Sequence, residues 1–400
     1  MNKIELLAPA NSLDKVKIAV MAGADAIYVG GEYSLRSRAG SLTIDEIKEM
    51  VDYIHENNKK LFVTVNMVFH NDDLEGIKEY LINLDKIHVD AIIVSSLSIL
   101  VLAKRHTSME VHMSTQLSTY NSGAISYLKK YGADRVVLAR ECNMDEIKEI
   151  SSSCDLPLEV FIHGGMCSNF SGKCSLSNRM TNRDSNRGGC AHSCRWYYDL
   201  YNRGDKITNR DHKFSLSSKD LRATSYIADL INAGVASLKI EGRMKSEHYI
   251  RQTVKTYRDM IDEIYSKGGV LTQERIDYYN SQLDIAENRV TDDGFFSGDN
   301  NNYKIIYGVN GAGVRHDYVA MVLDYNNVSN YAVIEVKNKF EIGDKLEVVS
   351  PSQDYPEFVN AGMFESDWKF VEVANKPASI LYMRIPYGVK KYDMIRKISK

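Results

Sequence analysis

The sequence predicts an α/β fold: a (β/α)8 barrel of the TIM type, followed by a small β-barrel or sandwich domain. Short β-rich runs alternate with helical stretches through about residue 265, as in the αβ units of a parallel sheet. Several runs repeat one phrase, AGADAIYVGG at 22–31, VDAIIVS at 89–95, YGADRVVLAR at 131–140 and AGVASLKIEG at 233–242. Beyond about residue 300 the pattern becomes short alternating strands broken by turn signals, the mark of an antiparallel β domain. At roughly 100 to 200 residues per domain, 400 residues that are 44% hydrophobic allow two or three domains.

The repeated phrase has a physical reading. A glycine ends an amphipathic helix, and the apolar, often β-branched residues after it have the near-continuous hydrophobicity of a strand buried on both faces. Eight such strands are expected, at Ile4–Leu7, Ala26–Val29, Leu61–Val65, Ala91–Val94, Glu110–Met113, Arg135–Leu138, Leu158–Ile162 and Ser237–Ile240. Helical periods lie between them, including one from Ile44 to Asn57 opened by the capping box Thr43-x-x-Glu46, one from Asp145 to Ser151, and a last barrel helix through Tyr257 and Arg258 to Tyr265. A doubly wound open sheet is the rival, but no GxGxxG follows the first strand. The divisions expected are a barrel over 1–265, a mixed polar connecting segment over 266–302 and a β-rich domain over 303–400, with strands at Tyr318–Leu323, Tyr331–Val336, Lys345–Val348 and Ile380–Ile385.

In a barrel of this kind, residues just beyond the strands line the face that carries the active site. Here they are polar: Asn66, Ser95, Ser114 with Thr115 and Gln116, Arg140 with Glu141, His163, and Glu241 with Arg243. Singly each reads as a cap for the following helix; together they converge on one rim. A net charge of −3 and a pI near 6.4 exclude a global basic field, so any polyanionic partner must meet a local patch. The opening MNKIELLAPA lacks a signal-peptide pattern and no apolar run approaches a membrane span, so a cytoplasmic protein is expected. In that reducing compartment six cysteines read as metal-binding or catalytic rather than as a disulfide scaffold, with Cys142 and Cys154 set apart as ordinary buried thiols.

The other four form Cys167-x6-Cys174-x15-Cys190-x3-Cys194, with glycines at 164, 165, 172, 188 and 189. Thiolates on a glycine-rich loop can wrap a soft metal, because the backbone turns sharply enough to aim several sulfurs at one point. Structural zinc favours tight C-x2-4-C knuckles, which only Cys190-x3-Cys194 satisfies. The looser gaps suit an iron–sulfur cluster, [4Fe-4S] in type. The plain alternative is a set of buried small residues or a labile disulfide. Arg179, Arg183, Arg187 and Arg195 interleave with the cysteines and match phosphate or carboxylate bidentately, or form a solvated loop face. His163 reads as a proton-transfer group, a ligand, or a satisfied structural histidine.

Glu159-Val-Phe-Ile-His163-Gly-Gly-Met-Cys167-x-x-Phe-Ser171-Gly172-x-Cys174-x-Leu-Ser177 resembles the peptidase U32 family. NRGGCAHSCRW at 186–196, Leu216-Ser-Ser-Lys-Asp220, Leu238-Lys-Ile-Glu-Gly-Arg-Met-Lys-Ser246, ENRVTDDGFFSG at 287–298 and the N-terminal ELLAPA and GADAIYVGG resemble its further blocks, so the resemblance covers nearly the whole chain. It implies oxygen-independent hydroxylation of a tRNA wobble uridine to 5-hydroxyuridine with a cysteine-bound iron–sulfur cluster and a small carboxylated hydroxyl donor such as prephenate. Other members act on a 23S ribosomal RNA cytidine or on the ubiquinone precursor. Many members carry a cluster cysteine just after the SSKDL block, where this chain has Arg222; with Cys167, Cys174 and Cys190 as three ligands, the resemblance leaves as the fourth either Cys194, which resembles a ligand of another branch closed by a Cys-x3-Cys pair, or a non-protein group. His163, Glu241 and Arg243 are then the candidate catalytic groups, and Arg140, Arg179, Arg183, Arg187, Arg195 and Lys239 the candidate substrate-binding ones. Two competing readings are a peptidase, for which the sequence offers no HExxH or GxSxG and only a Cys167–His163 pair, and a non-catalytic RNA-binding subunit serving a partner protein.

Overall fold

The computed structural model describes residues 3–35, 41–209, 213–286, 289–299, 301–307, 316–351 and 354–398. Seven strands, β1 (Glu5–Pro9), β2 (Ala26–Gly30), β3 (Lys60–Val65), β4 (Ala91–Val94), β5 (Glu110–Met113), β6 (Arg135–Val137) and β7 (Leu158–Gly164), pair in parallel in sequence order. After the short hairpin of β8 (Tyr201–Asn202) and β9 (Asp205–Lys206), and then β10 (Asp220–Arg222), the strand β11 (Ser237–Ile240) pairs in parallel with both β7 and β1. That double pairing closes an eight-stranded barrel and excludes the open sheet. All eight barrel strands stand where the hydrophobic runs predict them.

Helices fill the crossovers in turn: α1 (Leu13–Met21), α2 (Ile44–Glu56), α3 (Ile77–Lys86), α4 (Leu97–His106), α5 (Ser122–Lys130), α6 (Met144–Ser153), the short α7 (Leu176–Thr181), α8 (Ile227–Asn232) and α9 (Glu247–Ser266). The Thr43 and Glu46 capping box opens α2 as expected, and Asn143 with Glu146 forms a second one at α6. The glycines of the repeated phrase sit in left-handed turns, Gly23 at φ 102°, Gly132 at φ 96° and Gly234 at φ 79°. Asn58 and His88 take the same turn at φ 55° and 63° after α2 and α3, whereas α4 and α6 end in extended Thr107 and Cys154, so glycine is the low-strain occupant where a left-handed turn is used.

The main core lies between strands and helices. Inside the barrel, Leu7, Ala26, Tyr28, Phe62, Ala91 and Ile93 form a smaller apolar cluster along β1 to β4. The opposite half is charged: Arg135 donates to Glu5 at 2.5 Å and to Glu159 at 3.2 Å, and Lys239 donates to Glu159 at 2.7 Å.

Besides β8, β9 and β10, further elements depart from the expected pattern. The segment 266–302 contains a helix, α10 (Gln273–Asp284), which buries only Tyr279 and Leu283 and so shows almost no amphipathic period. β12 (Thr291–Asp292) pairs with β10 and extends the barrel sheet. The C-terminal sheet also has more strands than expected. It is antiparallel, in the order β17 (Asp354–Val359), β16 (Lys345–Val349), β22 (Met394–Ile398), β13 (His316–Asn326), β14 (Tyr331–Val336), β21 (Ile380–Arg384), β18 (Met363–Phe364), β19 (Phe370–Val371), with a separate ribbon of β15 (Phe340–Glu341) and β20 (Val373–Ala374). The edge strand β17 has mostly exposed side chains, and β22 turns Arg396 inward, so neither shows a clean alternation.

This sheet shares a continuous core with the barrel: Tyr318, Met321, Val349, Tyr392 and Met394 pack into the same cluster as the barrel helices. The buried Arg251 of α9 donates to the Ser350 carbonyl at 2.7 Å, His248 stacks on Tyr318 at 5.7 Å, and Tyr392 donates to Asp14 of α1 at 2.8 Å. No helix among the described residues is long and apolar enough to cross a membrane.

Tyr257, fully buried on α9, reaches the Ile162 carbonyl at 3.3 Å and the His163 ring at 3.1 Å. Tyr257→Ala is expected to cost about 3–5 kcal/mol, the range for deleting a buried aromatic, and Tyr257→Phe about 1–3 kcal/mol for the stranded polar partners. Urea denaturation of the three proteins measures both, and an unchanged Tyr257→Ala midpoint would refute this account of the barrel wall.

Candidate active site at the barrel mouth

Among the described residues between β7 and β11, 165–209 and 213–222 include contacts that return to the C-terminal ends of the strands. Three attachments hold this insertion down. Ser171 donates to Glu141 from its backbone N–H at 2.9 Å and from its hydroxyl at 3.0 Å, and Ser118 donates to the Ser171 carbonyl. Gly172 lies so close that a Cβ there would stand 1.9 Å from the Gln116 carbonyl oxygen, which only glycine permits. Farther round the rim, Arg187 grips Asp73 with both amino groups and donates to the Val68 carbonyl at 2.9 Å, while the Val68 N–H donates to the Asn186 carbonyl at 2.9 Å. The third attachment is β10, antiparallel to the protruding end of β7 through Leu221 with Gly164 and Arg222 with His163.

The four cysteines are carried on this anchored loop as free thiols. The Cys174 carbonyl accepts from Ser185 at 2.7 Å and from Asn186 at 2.9 Å, its sulfur accepts from Asn169 at 3.3 Å, and the Cys194 carbonyl accepts from the Leu216 N–H at 3.2 Å. The thiols lie within electrostatic reach of one another. Burial raises the Cys194 thiol above its ordinary value, with Ser168 and Arg195 opposing and Cys190 and Cys174 adding to the rise. The Cys167 residue is exposed, yet the protein atoms packed about its thiol raise it too, against Arg140 and together with Cys194, Cys190 and Glu241. Cys142 differs: it is buried away from this group, and burial with Glu146 and Glu141 pushes it up to about 12.

Arg140, Arg195 and Glu241 converge on Gly165. Arg140 lies over the Phe161 ring at 3.9 Å and donates to the Gly165 carbonyl, and the Gly165 N–H donates to Glu241 at 3.3 Å. A Cβ on Gly165 would sit 3.4 Å from the Arg195 guanidinium. Arg195 is also 3.9 Å from the buried Asp220, which accepts from Arg289 at 2.9 Å. On the β2 and β3 side, Arg243 donates to Ser34 at 2.8 Å and to Thr64 at 3.0 Å. It fills the space above Gly30, where any Cβ would fall 2.1 Å from its nitrogen. Ser34 and Thr64 carry no signal in the sequence, while Gly30, Asp220 and Arg289 lie in the blocks quoted above without a site role assigned to them. For Gly30 the double glycine after β2 was the available signal; the others are separated in the chain from the groups they hold.

Other candidates lie elsewhere. Lys239 is 3% exposed inside the barrel, its ammonium 4.5 Å from the Tyr28 ring centre and paired with Glu159. Burial lowers the Lys239 ammonium against the pull of Glu159. Burial alone would raise the Glu159 carboxyl, but Lys239, Arg135 and His112 outweigh it and hold it below the ordinary carboxylate range. His163 faces the helix layer. The β7 pairing with β11 is irregular, so that Lys239 stands opposite Phe161 but Ile240 opposite His163, and this bulge directs the imidazole to Tyr257 and Tyr249 of α9. Arg187 is committed to Asp73, and Arg222 is tied to Asp284 at 2.6 Å. Arg179 and Arg183 are exposed and make no side-chain hydrogen bond or ion pair with another described residue.

Four thiols on one anchored loop are a soft donor set suited in type to an iron–sulfur cluster. Among the described residues, no three side chains of His, Cys, Asp or Glu are already gathered as a metal-binding group.

Comparison with known proteins fits the two-part architecture. The family model described as Peptidase family U32 matches residues 11–305, and that described as Peptidase family U32 C-terminal domain matches 314–396. The chain is 39% identical over 404 residues to the tRNA hydroxylation protein P1 of Bacillus subtilis, covering 99% of this chain and 95% of that one. It is 36% identical over 272 residues to a 23S rRNA 5-hydroxycytidine synthase of Escherichia coli, covering 68% of this chain and 41% of that one. It is 30% identical over 368 residues to a collagenase of Porphyromonas gingivalis, covering 88% of each. With both of its parts matched in order, the chain belongs to peptidase family U32.

Proposed function

We propose that this protein is an RNA hydroxylase whose substrate is a tRNA wobble uridine, and that Cys167, Cys174, Cys190 and Cys194 hold an iron–sulfur cluster at the barrel mouth. The observation that carries the reading is the similarity of the chain, along its whole length, to a tRNA hydroxylation protein, in a chain whose anchored loop bears four free thiols on the side of the mouth where Arg140, Arg195 and Glu241 converge on Gly165. The cluster would supply one-electron transfers.

Converting uridine to 5-hydroxyuridine breaks the C5–H bond and forms a C5–O bond, a two-electron oxidation of the base. A small carboxylated hydroxyl donor balances it: its own C–O bond breaks, its carbon takes up the hydrogen, and it is reduced by the two electrons that the base loses. The protein's part is to bind and orient. Arg243, held by Ser34 and Thr64, and Arg140, stacked on Phe161, present guanidiniums suited to a carboxylate. Glu241 accepts from the Gly165 N–H and is placed to receive a proton leaving the base. His163 serves as a positioning residue, bracing β7 against α9. A Cys167–His163 peptidase gains nothing from this arrangement, because the β7 bulge turns His163 toward Tyr257.

Replacing Cys190 or Cys194 with serine is expected to abolish 5-hydroxyuridine and its derivatives in tRNA, as deleting the gene would, when total tRNA nucleosides are measured by mass spectrometry. Glu241→Gln is expected to slow hydroxylation about 10²–10⁴-fold, the usual contribution of a positioned proton acceptor, and so to lower the level of these nucleosides. Unchanged nucleosides in the deletion strain would refute the RNA reading.

Protein purified without oxygen is expected to contain iron and sulfide and to absorb broadly in the visible. After the metal is stripped, exposed Cys190 should alkylate first and buried Cys142 last under native conditions. Mass spectrometry of the alkylated peptides gives the order, and equal labelling of Cys142 would contradict it.

A further inference from the structure

Met166 to Lys213 carries nine lysines and arginines against four aspartates and no glutamate, a formal +5 in a chain whose total is −3. The same stretch holds four large rings out in solvent: Phe170 is 54% exposed, Trp196 42%, Tyr197 46% and Tyr201 62%. Single exposed apolar residues are ordinary on a protein surface, but several on one insertion mark an interaction site.

These rings are on ordered backbone. Tyr198 and Phe214 exchange backbone hydrogen bonds at 2.8 and 3.0 Å, β8 pairs with β9, and the Tyr198 hydroxyl donates to the Ser193 carbonyl at 2.6 Å, so the hairpin is tied to the turn that carries Cys194. Phe170, between Cys167 and Cys174, lies 6.2 Å from Tyr120 on the neighbouring barrel loop. Arg179 and Arg183 stand exposed on the same insertion.

We infer that this insertion is a stacking platform for unpaired RNA, leading a single-stranded loop across Trp196 and Tyr201 to the thiols while Arg179 and Arg183 neutralise its phosphates. The inference rests on the RNA reading above and adds where the RNA lies and in what form. Exposed rings interleaved with cations fit single strands, whose bases can leave the helix and stack. A duplex keeps its base faces covered, and an uncharged apolar peptide would not use the local positive charge.

The chain has two tryptophans, Trp196 and Trp368, the latter set edge-on against Tyr331 at 5.2 Å in the C-terminal sheet. A Trp368→Phe variant of the full chain therefore leaves Trp196 as the fluorescent reporter. Titration with a synthetic RNA hairpin bearing a uridine-containing loop should quench Trp196, and a fully paired RNA of equal length should quench it weakly. Trp196→Ala and, away from the thiols, Tyr201→Ala should each weaken hairpin binding roughly 5- to 100-fold by anisotropy, as for loss of one stacked base. Arg179→Ala and Arg183→Ala should each lower the slope of log affinity against log salt by about 0.7.

Hairpin binding that leaves Trp196 fluorescence and both ring variants unaffected overturns this surface while sparing the RNA reading. Saturable binding of a gelatin peptide with none of the hairpin overturns both. Equal affinity for hairpin and duplex overturns the stacking role.

Discussion

The parallel pairing of β7 with β11 is the contact on which the rest of the molecule depends. It closes the barrel, since β11 also pairs with β1, and it brings together the two ends of the insertion that carries all four clustered cysteines. Loop-closure entropy grows only slowly with length, so a long insertion at this point costs the barrel little once its ends are fixed. The irregularity in the pairing then sorts the side chains, leaving Phe161 beneath Arg140 and sending His163 to Tyr257. A regular strand would have kept His163 on the same face as Phe161.

Electrostatics divides the barrel into two zones. Inside the barrel, Arg135, Glu159 and Lys239 pair with one another, and Arg135 also with the part-buried Glu5. At the mouth, the guanidiniums of Arg140, Arg195 and Arg243 are oriented by a carbonyl, a more distant carboxylate and two hydroxyls.

The barrel was legible because its strands are buried on both faces and punctuated by left-handed turns, signals that are local in sequence. The hairpin after Cys194, α10 and β17 were not legible, because their side chains face water and show no apolar period. Within the site, the cysteine spacing and the polar residues beyond the strands located the mouth. They did not reveal that Arg187 is a tether, that Lys239 is interior, or that Arg243 is held by Ser34 and Thr64. Each of those facts depends on a partner far away in the chain, and spacing carries no information about such pairs. Arg222, in the strand β10 at the end of the SSKD stretch, forms an ion pair with Asp284 of α10.

The buried network also couples distant parts of the chain. Removing any one of Arg135, Glu159 or Lys239 leaves the charges that remain in the barrel unbalanced, which costs more than replacing the whole set with apolar groups of matching volume. Substitutions at the three positions are therefore non-additive: the loss of one changes what the loss of the next will cost.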